Sequence, residues 1–232
     1  MSTTLSPVAV FDLDGTLVDT LPDLAASLNV ALEKEGLARV SQEDARRGVG
    51  HGARRMIEHA LADRGVTPDR ERIDRMHGAF LEHYTANIAV DSVPFPGAVA
   101  AMDALSARGI VLAVCTNKYE ALARRLLGDL GLADRFAAIA GGDTFPASKP
   151  NPQHLTGTIQ AAKCGAAVMI GDSDADIGAA KAAGIPSVAV SFGYSTRPAA
   201  ELGADRLIAH FDELEDAVVA LLDNGAGGSA NA

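Results

Sequence analysis

The chain has 232 residues, of which 48% are hydrophobic and 22% charged, proportions of a globular protein and not of a disordered one. Twenty Lys and Arg stand against 30 Asp and Glu, a formal net charge of −10 that excludes non-specific attraction to nucleic acid or to an anionic membrane. Any anionic small substrate must therefore be drawn in by a local cation or metal.

The first apolar run, residues 8–11 (VAVF), stops at Asp12 with no basic segment before it, which is too short for a signal peptide. No stretch approaches the roughly 18 apolar residues of a membrane helix. Two cysteines, Cys115 and Cys164, cannot build a disulfide framework and suit a reducing compartment, so a cytoplasmic protein is expected. Monomer and homodimer both fit the sequence.

Further along, residues 110–115 (IVLAVC), 136–140 (FAAIA), 167–170 (AVMI), 187–190 (SVAV) and 206–209 (RLIA) also read as buried strands. Helical patterns separate them over 96–108, 119–130, 152–163, 175–183 and 212–222, and Gly109, Gly131, Gly165 and Gly184 sit where helices stop in the left-handed region. Strands alternating with helices predict an α/β fold, a doubly wound parallel sheet with a Rossmann-like core.

One gap interrupts that rhythm. Residues 21–92 show only helical stripes: Leu24, Leu28, Ala31 and Leu32; Met56, Ile57, Ala60 and Leu61; Ile73, Met76, Phe80, Tyr84 and Ile88. Ser41 with Asp44 matches a capping box. The expected organisation is a core over 1–20 and 93–223, an inserted helical domain over 21–92 hinged near 19–22 and 91–96, and a frayed tail over 224–232.

Asp12 and Asp14 follow the first strand directly. Two carboxylates two residues apart share one side of an extended chain, and the carboxyl ends of a parallel sheet are where such folds bind ligands. Neighbouring carboxylates repel, so they need a cation or a shared proton. Asp172 follows another strand in the same way, and an oxygen-rich site of Asp12, Asp14 and Asp172 suits Mg²⁺. Asp174 reads as a helix N-cap and Asp176 as a supporting carboxylate that orients or charges the site. Thr116 and Asn117, at another strand end, offer a hydroxyl, an amide and helix N–H groups to a phosphate. Lys149, pinned before Pro150, is a candidate fixed cation for a phosphoryl oxygen.

Other chemistries fail on spacing. Residues 48–53 (GVGHGA) match a dinucleotide fingerprint but follow no strand, there is no P-loop, and the six histidines show no metal spacing.

In this order, Asp12-x-Asp14-Gly15-Thr16, Thr116, Lys149-Pro150 and Gly171-Asp172-x-x-x-Asp176 resemble the motifs of the haloacid dehalogenase-like phosphatase superfamily, and the helical insertion resembles its cap domain. More narrowly, the run from Phe11 to Asp19, the glycine-rich 48–53, Thr116-Asn117-Lys118, Gly141-Gly142-Asp143 and Gly193-Tyr194 are similar to bacterial phosphoglycolate phosphatases. The resemblance implies hydrolysis of a small phosphorylated metabolite, 2-phosphoglycolate first among them. It implies Asp12 as nucleophile forming an aspartyl-phosphate and Asp14 as general acid and base. Mg²⁺ is then held by Asp12, the Asp14 backbone carbonyl and Asp172, and the transferring oxygens by Thr116, Asn117 and Lys149. Haloalkanoic dehalogenases of this superfamily lack the second acid, so Asp14 favours phosphoryl chemistry. Gly50 and His51 in the cap loop are expected to meet the substrate's other end, with Arg46, Arg47, Arg54 and Arg55 near enough to supply a partner for a carboxylate.

The rival readings are a phosphatase for sugar phosphates or pyrophosphate, a phosphosugar mutase, and a phospho-accepting signalling receiver. A receiver also clusters Asp, Thr and Lys around Mg²⁺, but the helical insertion and a nucleophile on the first strand speak against it.

Overall fold

The structure is a computed structural model that describes residues 5–50, 52–67 and 69–227. Strand β1 (Val8–Phe11) leads into a two-residue strand β2 (Val18–Asp19) and then into four helices, α1 (Leu21–Lys34), α2 (Gln42–Arg46), α3 (Ala53–Ala62) and α4 (Arg70–Ala86). A second short strand, β3 (Val93–Pro94), returns the chain to the core. Strands and helices then alternate through α5 (Ala98–Ala107), β4 (Val111–Cys115), α6 (Glu120–Asp129), β5 (Ala138–Ala140), α7 (Pro152–Ala161), β6 (Ala167–Gly171), α8 (Asp174–Ala183), β7 (Ser187–Val190), β8 (Arg206–Ile208) and α9 (Leu214–Gly227).

Six strands form one parallel sheet in the order β5-β4-β1-β6-β7-β8. Alternate residues of β1 leave opposite faces. Val8 and Val10 pack with Leu155 and Ile159 of α7 and Ala179 and Ala180 of α8, while Ala9 and Phe11 pack with residues of α5, α6 and α9. A strand buried on both faces has no polar side, which is why its run is continuously apolar. The chain winds outwards from β1 to β4 and β5, then returns to β6 on the other side of β1. The loops at the carboxyl ends of β4, β1 and β6 therefore converge on one crevice.

Between β2 and β3 the four helices pack on one another, and their buried side chains join the same apolar cluster as Ala9 and Phe11 of β1, not a core of their own. Leu24, Leu28, Ala31 and Leu32 of α1 join Met76, Phe80 and Tyr84 of α4, with the Phe80 and Tyr84 rings stacked at 5.9 Å. The two crossings of the insertion are joined to each other. Val18 pairs with Pro94 and Asp19 with Val93 in an antiparallel ribbon. Above it, the buried Asp23 carboxylate accepts from the Ser92 hydroxyl at 2.6 Å and from the backbone N–H groups of Ser92, Val90 and Asp91 at 2.9 to 3.1 Å. Neither ribbon nor clasp has a periodic signal, because both are contacts between segments some 70 residues apart in sequence.

Several boundaries differ from those expected. Helix α5 begins at Ala98 and not at residue 96, since Gly97 at φ 83° turns the chain first. Gly109, Gly131 and Gly184 take positive φ, but at the end of α7 that conformation falls on Lys163 (φ 56°) and not on Gly165. Helix α9 continues to Gly227, so the segment 224–227 is helical and not a frayed tail; residues 228–232 lie outside the described residues. The N-cap of α8 is Ser173, and Asp174 is instead its first residue, paired with Arg197 at 2.5 Å.

The Asp23 clasp should be worth measuring. Asp23→Ala leaves buried N–H groups without an acceptor, and a loss of about 1–3 kcal/mol in urea unfolding is expected. An unchanged midpoint would show that the clasp contributes nothing to stability.

Candidate active site

The register of the sheet assembles the site. Phe11 lies opposite Val114 of β4 and Ile170 of β6. One residue further, Asp12 emerges level with the ends of both neighbours, and its N–H donates to the Ile170 carbonyl at 2.9 Å. Thr116 and Asp172 leave their own strands beside it. Lys149 arrives from the loop after β5, and Asp176 from the first turn of α8.

Asp12, Asp172 and Asp176 each present a carboxylate oxygen, all within 4.8 Å of one another. All three are buried, Asp176 completely. Lys149 Nζ donates to Asp12 at 2.8 Å, to Asp176 at 2.6 Å and to the Cys115 carbonyl at 2.5 Å. An ammonium has three protons, so all of its donors are committed here. Lys149 thus holds the nucleophile candidate in place, where the sequence suggested a clamp on substrate oxygens alone. Asp172 accepts from the Thr16 hydroxyl at 3.0 Å and from the Tyr194 N–H at 2.6 Å. The other oxygen of Asp176 accepts from the Ser173 N–H and hydroxyl at 3.0 and 2.6 Å.

Three carboxylates around one ammonium leave two negative charges unmatched in a desolvated place. Burial pushes the Asp12 carboxyl up to about 8, opposed by Lys149 and reinforced by Asp176 and Asp172. Burial and Asp176 push Asp172 up to about 7. Burial disfavours the Lys149 ammonium, but Asp12 and Asp176 more than offset it and hold it above the usual lysine range. A cluster of hard oxygens short of two positive charges suits a hard divalent cation. The backbone is shaped to this crowding. Gly15 sits at φ 85° with Asp172 Oδ2 2.8 Å from where a Cβ would stand, and a Cβ on Gly193 would lie 2.2 Å from that of Asp172.

The carboxylate of Asp14 lies apart from this trio, whose third member is Asp176; the resemblance assigns Asp14 to the metal through its backbone carbonyl and not through this carboxylate. Asp14 turns to its own partners, accepting from the Thr20 hydroxyl at 2.7 Å and from Lys118 Nζ at 2.8 and 2.9 Å. The Lys118 ammonium is buried, and it is held above its usual range by Asp14 against the opposing effect of burial. It lies 4.7 Å from the ring centre of Tyr84 on α4.

Thr116, Asn117 and Gly50 line the same cavity of about 510 Å³ as Asp12, Asp14 and Lys149. The Thr116 hydroxyl accepts from the Lys118 N–H at 3.2 Å. The Asn117 amide donates to the Gly50 carbonyl at 3.2 Å and to the Lys149 carbonyl at 3.1 Å, so it ties the insertion to the lysine loop. His51 lies outside the described residues. Arg54 and Arg55 line the cavity and pair with Asp74 at 2.5 Å and Glu58 at 2.9 Å; Arg46 points elsewhere and donates to the Gly193 carbonyl.

The sequence gives no chemical role to Lys118, Thr20 or Tyr194, and Tyr84 enters it only as part of a helical stripe. The Tyr194 hydroxyl donates to Asp19 at 2.5 Å and accepts from the Leu21 N–H at 2.9 Å, linking the hinge to the loop that holds Asp172. Lys118 was visible beside Thr116, and the one available signal was that a buried carboxylate at position 14 needs its own cation.

Comparison with known proteins agrees with this geometry. The family model for haloacid dehalogenase-like hydrolases matches residues 9–190. A phosphoglycolate phosphatase of Mesorhizobium japonicum is 49% identical over 223 residues, covering 95% of this chain and 98% of that one. One from Agrobacterium fabrum is 48% identical over 218 residues, 92% of this chain and 93% of its own. The solved structure of a predicted phosphoglycolate phosphatase from Haemophilus somnus 129pt superposes with a TM-score of 0.84 at 29% identity, over 93% of this chain and 99% of that one. A match running from β1 to the end of β7, with relatives nearly half identical along nearly the whole chain, places this protein in the haloacid dehalogenase-like hydrolase family.

Proposed function

We propose that the protein hydrolyses 2-phosphoglycolate to glycolate and phosphate through an aspartyl-phosphate on Asp12, with Mg²⁺ as cofactor. The observation that carries this reading is the pair of acids in one cavity with unlike surroundings: Asp12 sits among Asp172, Asp176 and Lys149, and Asp14 against Lys118 and Thr20. The names of the relatives supply the substrate.

In this mechanism a carboxylate oxygen of Asp12 attacks phosphorus and the bond to the ester oxygen breaks. Asp14 gives a proton to the departing alkoxide. It then takes one from the water that attacks the aspartyl-phosphate, which releases phosphate and restores Asp12. Lys149 keeps Asp12 aimed into the cavity. Thr116 follows β4 and lines the cavity, and in this mechanism its hydroxyl meets the transferring oxygens. Asp12, Asp172 and the Asp14 backbone carbonyl are the proposed metal ligands, with Asp176 adding a further buried carboxylate. When bound, Mg²⁺ supplies positive charge that lets an anionic ester approach an anionic nucleophile. Insertion residues, among them Leu24, Val49, Phe80 and Tyr84, form one wall of the cavity.

Two measurements test this. Asp12→Asn should fold normally, since little packing changes, and should lose about 10³-fold or more in kcat towards 2-phosphoglycolate, while Asp14→Asn should lose about 10²–10⁴-fold. Near-normal turnover by Asp12→Asn would remove the nucleophile assignment.

The second concerns pH and metal. Asp12 and Asp172 hold their protons in the folded chain up to about 8 and about 7, against 3.8 for an ordinary Asp. The folded state therefore binds protons that the unfolded chain releases. Their contribution to stability is full below about pH 4 and drains away as pH rises through 7 and 8. Mg²⁺ replaces those protons, so its stabilisation should grow with pH. At about 100 times its Kd it adds roughly 2.7 kcal/mol, or about 5–10 °C in Tm at pH 8, and much less at pH 5. A thermal shift in Mg²⁺ against EDTA that does not vary between pH 5 and pH 8 would contradict the carboxylate trio as its site.

A further inference from the structure

We propose that Lys118 and Tyr84 form the subsite that binds the carboxylate of the leaving group, and so choose phosphate esters of small hydroxy acids over those of neutral alcohols. The proposal rests on the reading above, in which the substrate is 2-phosphoglycolate, and adds to it the residues that recognise the end remote from phosphorus.

The size of the substrate fixes where such a subsite lies. In 2-phosphoglycolate a single methylene separates the ester oxygen from the carboxylate carbon. The group that serves the ester oxygen is Asp14, so the carboxylate must land within hydrogen-bonding reach of what surrounds Asp14. Lys118 Nζ touches both Asp14 oxygens, at 2.8 and 2.9 Å, and lines the cavity. Those contacts use at most two of its three protons, and the third is left on the side where the Tyr84 ring centre lies 4.7 Å away, so an arriving anion would meet this donor beside Tyr84.

Tyr84 is the second observation. Its side chain descends from α4 of the insertion, lines the same cavity, and is 1% exposed. Its hydroxyl is buried without a hydrogen-bond partner among the described residues. A polar atom left this way costs stability unless a ligand completes it. Burial also pushes the Tyr84 hydroxyl up to about 12, so it remains a donor at neutral pH. An ammonium packed on the ring of a tyrosine, with both residues lining one cavity, offers two donors that match the acceptor-only oxygens of a carboxylate.

The other cations near the cavity fit less well. Lys149 has all three donors committed to Asp12, Asp176 and the Cys115 carbonyl. Arg54 and Arg55 have side chains 47% and 65% exposed and already pair with Asp74 and Glu58. An exposed, paired guanidinium gains little by binding a further anion. Lys118 comes from the core and Tyr84 from the insertion, so the subsite exists only where the two meet.

The test compares kcat/KM for 2-phosphoglycolate with kcat/KM for 2-hydroxyethyl phosphate, which replaces the carboxylate by a neutral hydroxymethyl group. The wild type should prefer the first strongly. In Tyr84→Phe the ratio of the two values should fall about tenfold or more, the size expected for losing one hydrogen bond to a charged group. Lys118→Gln, which keeps a donor and removes the charge, should collapse the ratio further and gives a second reading if the tyrosine variant folds poorly. Equal losses on both substrates would overturn the proposal, because Lys118 and Tyr84 would then act only through Asp14 or through packing. A wild type without preference between the two esters would overturn the phosphoglycolate reading itself, and this subsite with it.

Discussion

Three buried carboxylates share one lysine at the end of β1, and the rest of the molecule is arranged around that imbalance. Lys149 reaches Asp12 and Asp176 within 2.8 Å, and Asp172 leans on Thr16 and the Tyr194 N–H. Such a cluster is unfavourable until a cation or protons relieve it, so the chain must hold it together with the stability of everything else. The central strands provide that stability. β1, β4 and β6 are apolar on both faces and almost wholly buried, and they hold the carboxyl-end loops at a fixed spacing. The glycines at 15, 171 and 193 let backbone approach the acids where any side chain would collide.

The insertion is joined to this centre by more than a hinge. Its two crossings form one ribbon, β2 with β3, and Asp23 clasps the turn above it. Arg46 holds the Gly193 carbonyl while Tyr194 reaches from the Asp172 loop to Asp19 and Leu21. Asn117 does the same on the other side, bridging Gly50 and the Lys149 loop. The insertion is thus tied by hydrogen bonds both to the loop that holds Asp172 and to the loop that holds Lys149. The same hydrogen bonds therefore join the cavity wall that the insertion supplies to the loops that carry the carboxylate trio and its lysine.

Much of this was legible from the sequence, and the reason is the same for each part that was. Strand runs such as VAVF and AVMI are continuous because both faces are buried, and the helical stripes of the insertion are periodic because one face is. Asp12, Asp172, Thr116 and Lys149 stand out because they break apolar order at strand ends or sit beside proline. What stayed hidden depends on pairs of distant residues with no local pattern. Asp176 looked like a support and lies within the trio, since the first turn of α8 brings its side chain back over Gly171. Asn117 looked like a phosphate ligand, yet its amide hydrogens go to two backbone carbonyls. The Lys118–Asp14 pair, the Asp23 clasp and the short ribbon are long-range contacts of the same kind. The Lys163 turn is a local surprise, where a lysine takes a left-handed conformation two residues before the glycine that offered itself.

Asp12 and Asp14 are chemically identical, two residues apart, and open onto one cavity, so any difference in what they do comes from their neighbours. Asp12 competes with Asp172 and Asp176 for Lys149, in a place that favours either protons or a divalent cation. Asp14 has Lys118 to itself, together with the Thr20 hydroxyl and the face of Tyr84 behind the ammonium. Two separate lysines therefore keep the acids electrostatically apart. If one cation served both, a proton gained by Asp14 would change the charge felt by Asp12 directly, and attack and proton transfer could not be set independently. Environments that push like groups apart are how one fold runs acid and base chemistry side by side. Here the separation follows from backbone geometry. The turn between Asp12 and Asp14 directs the first towards β6 and the second towards the start of α6, where Lys118 waits.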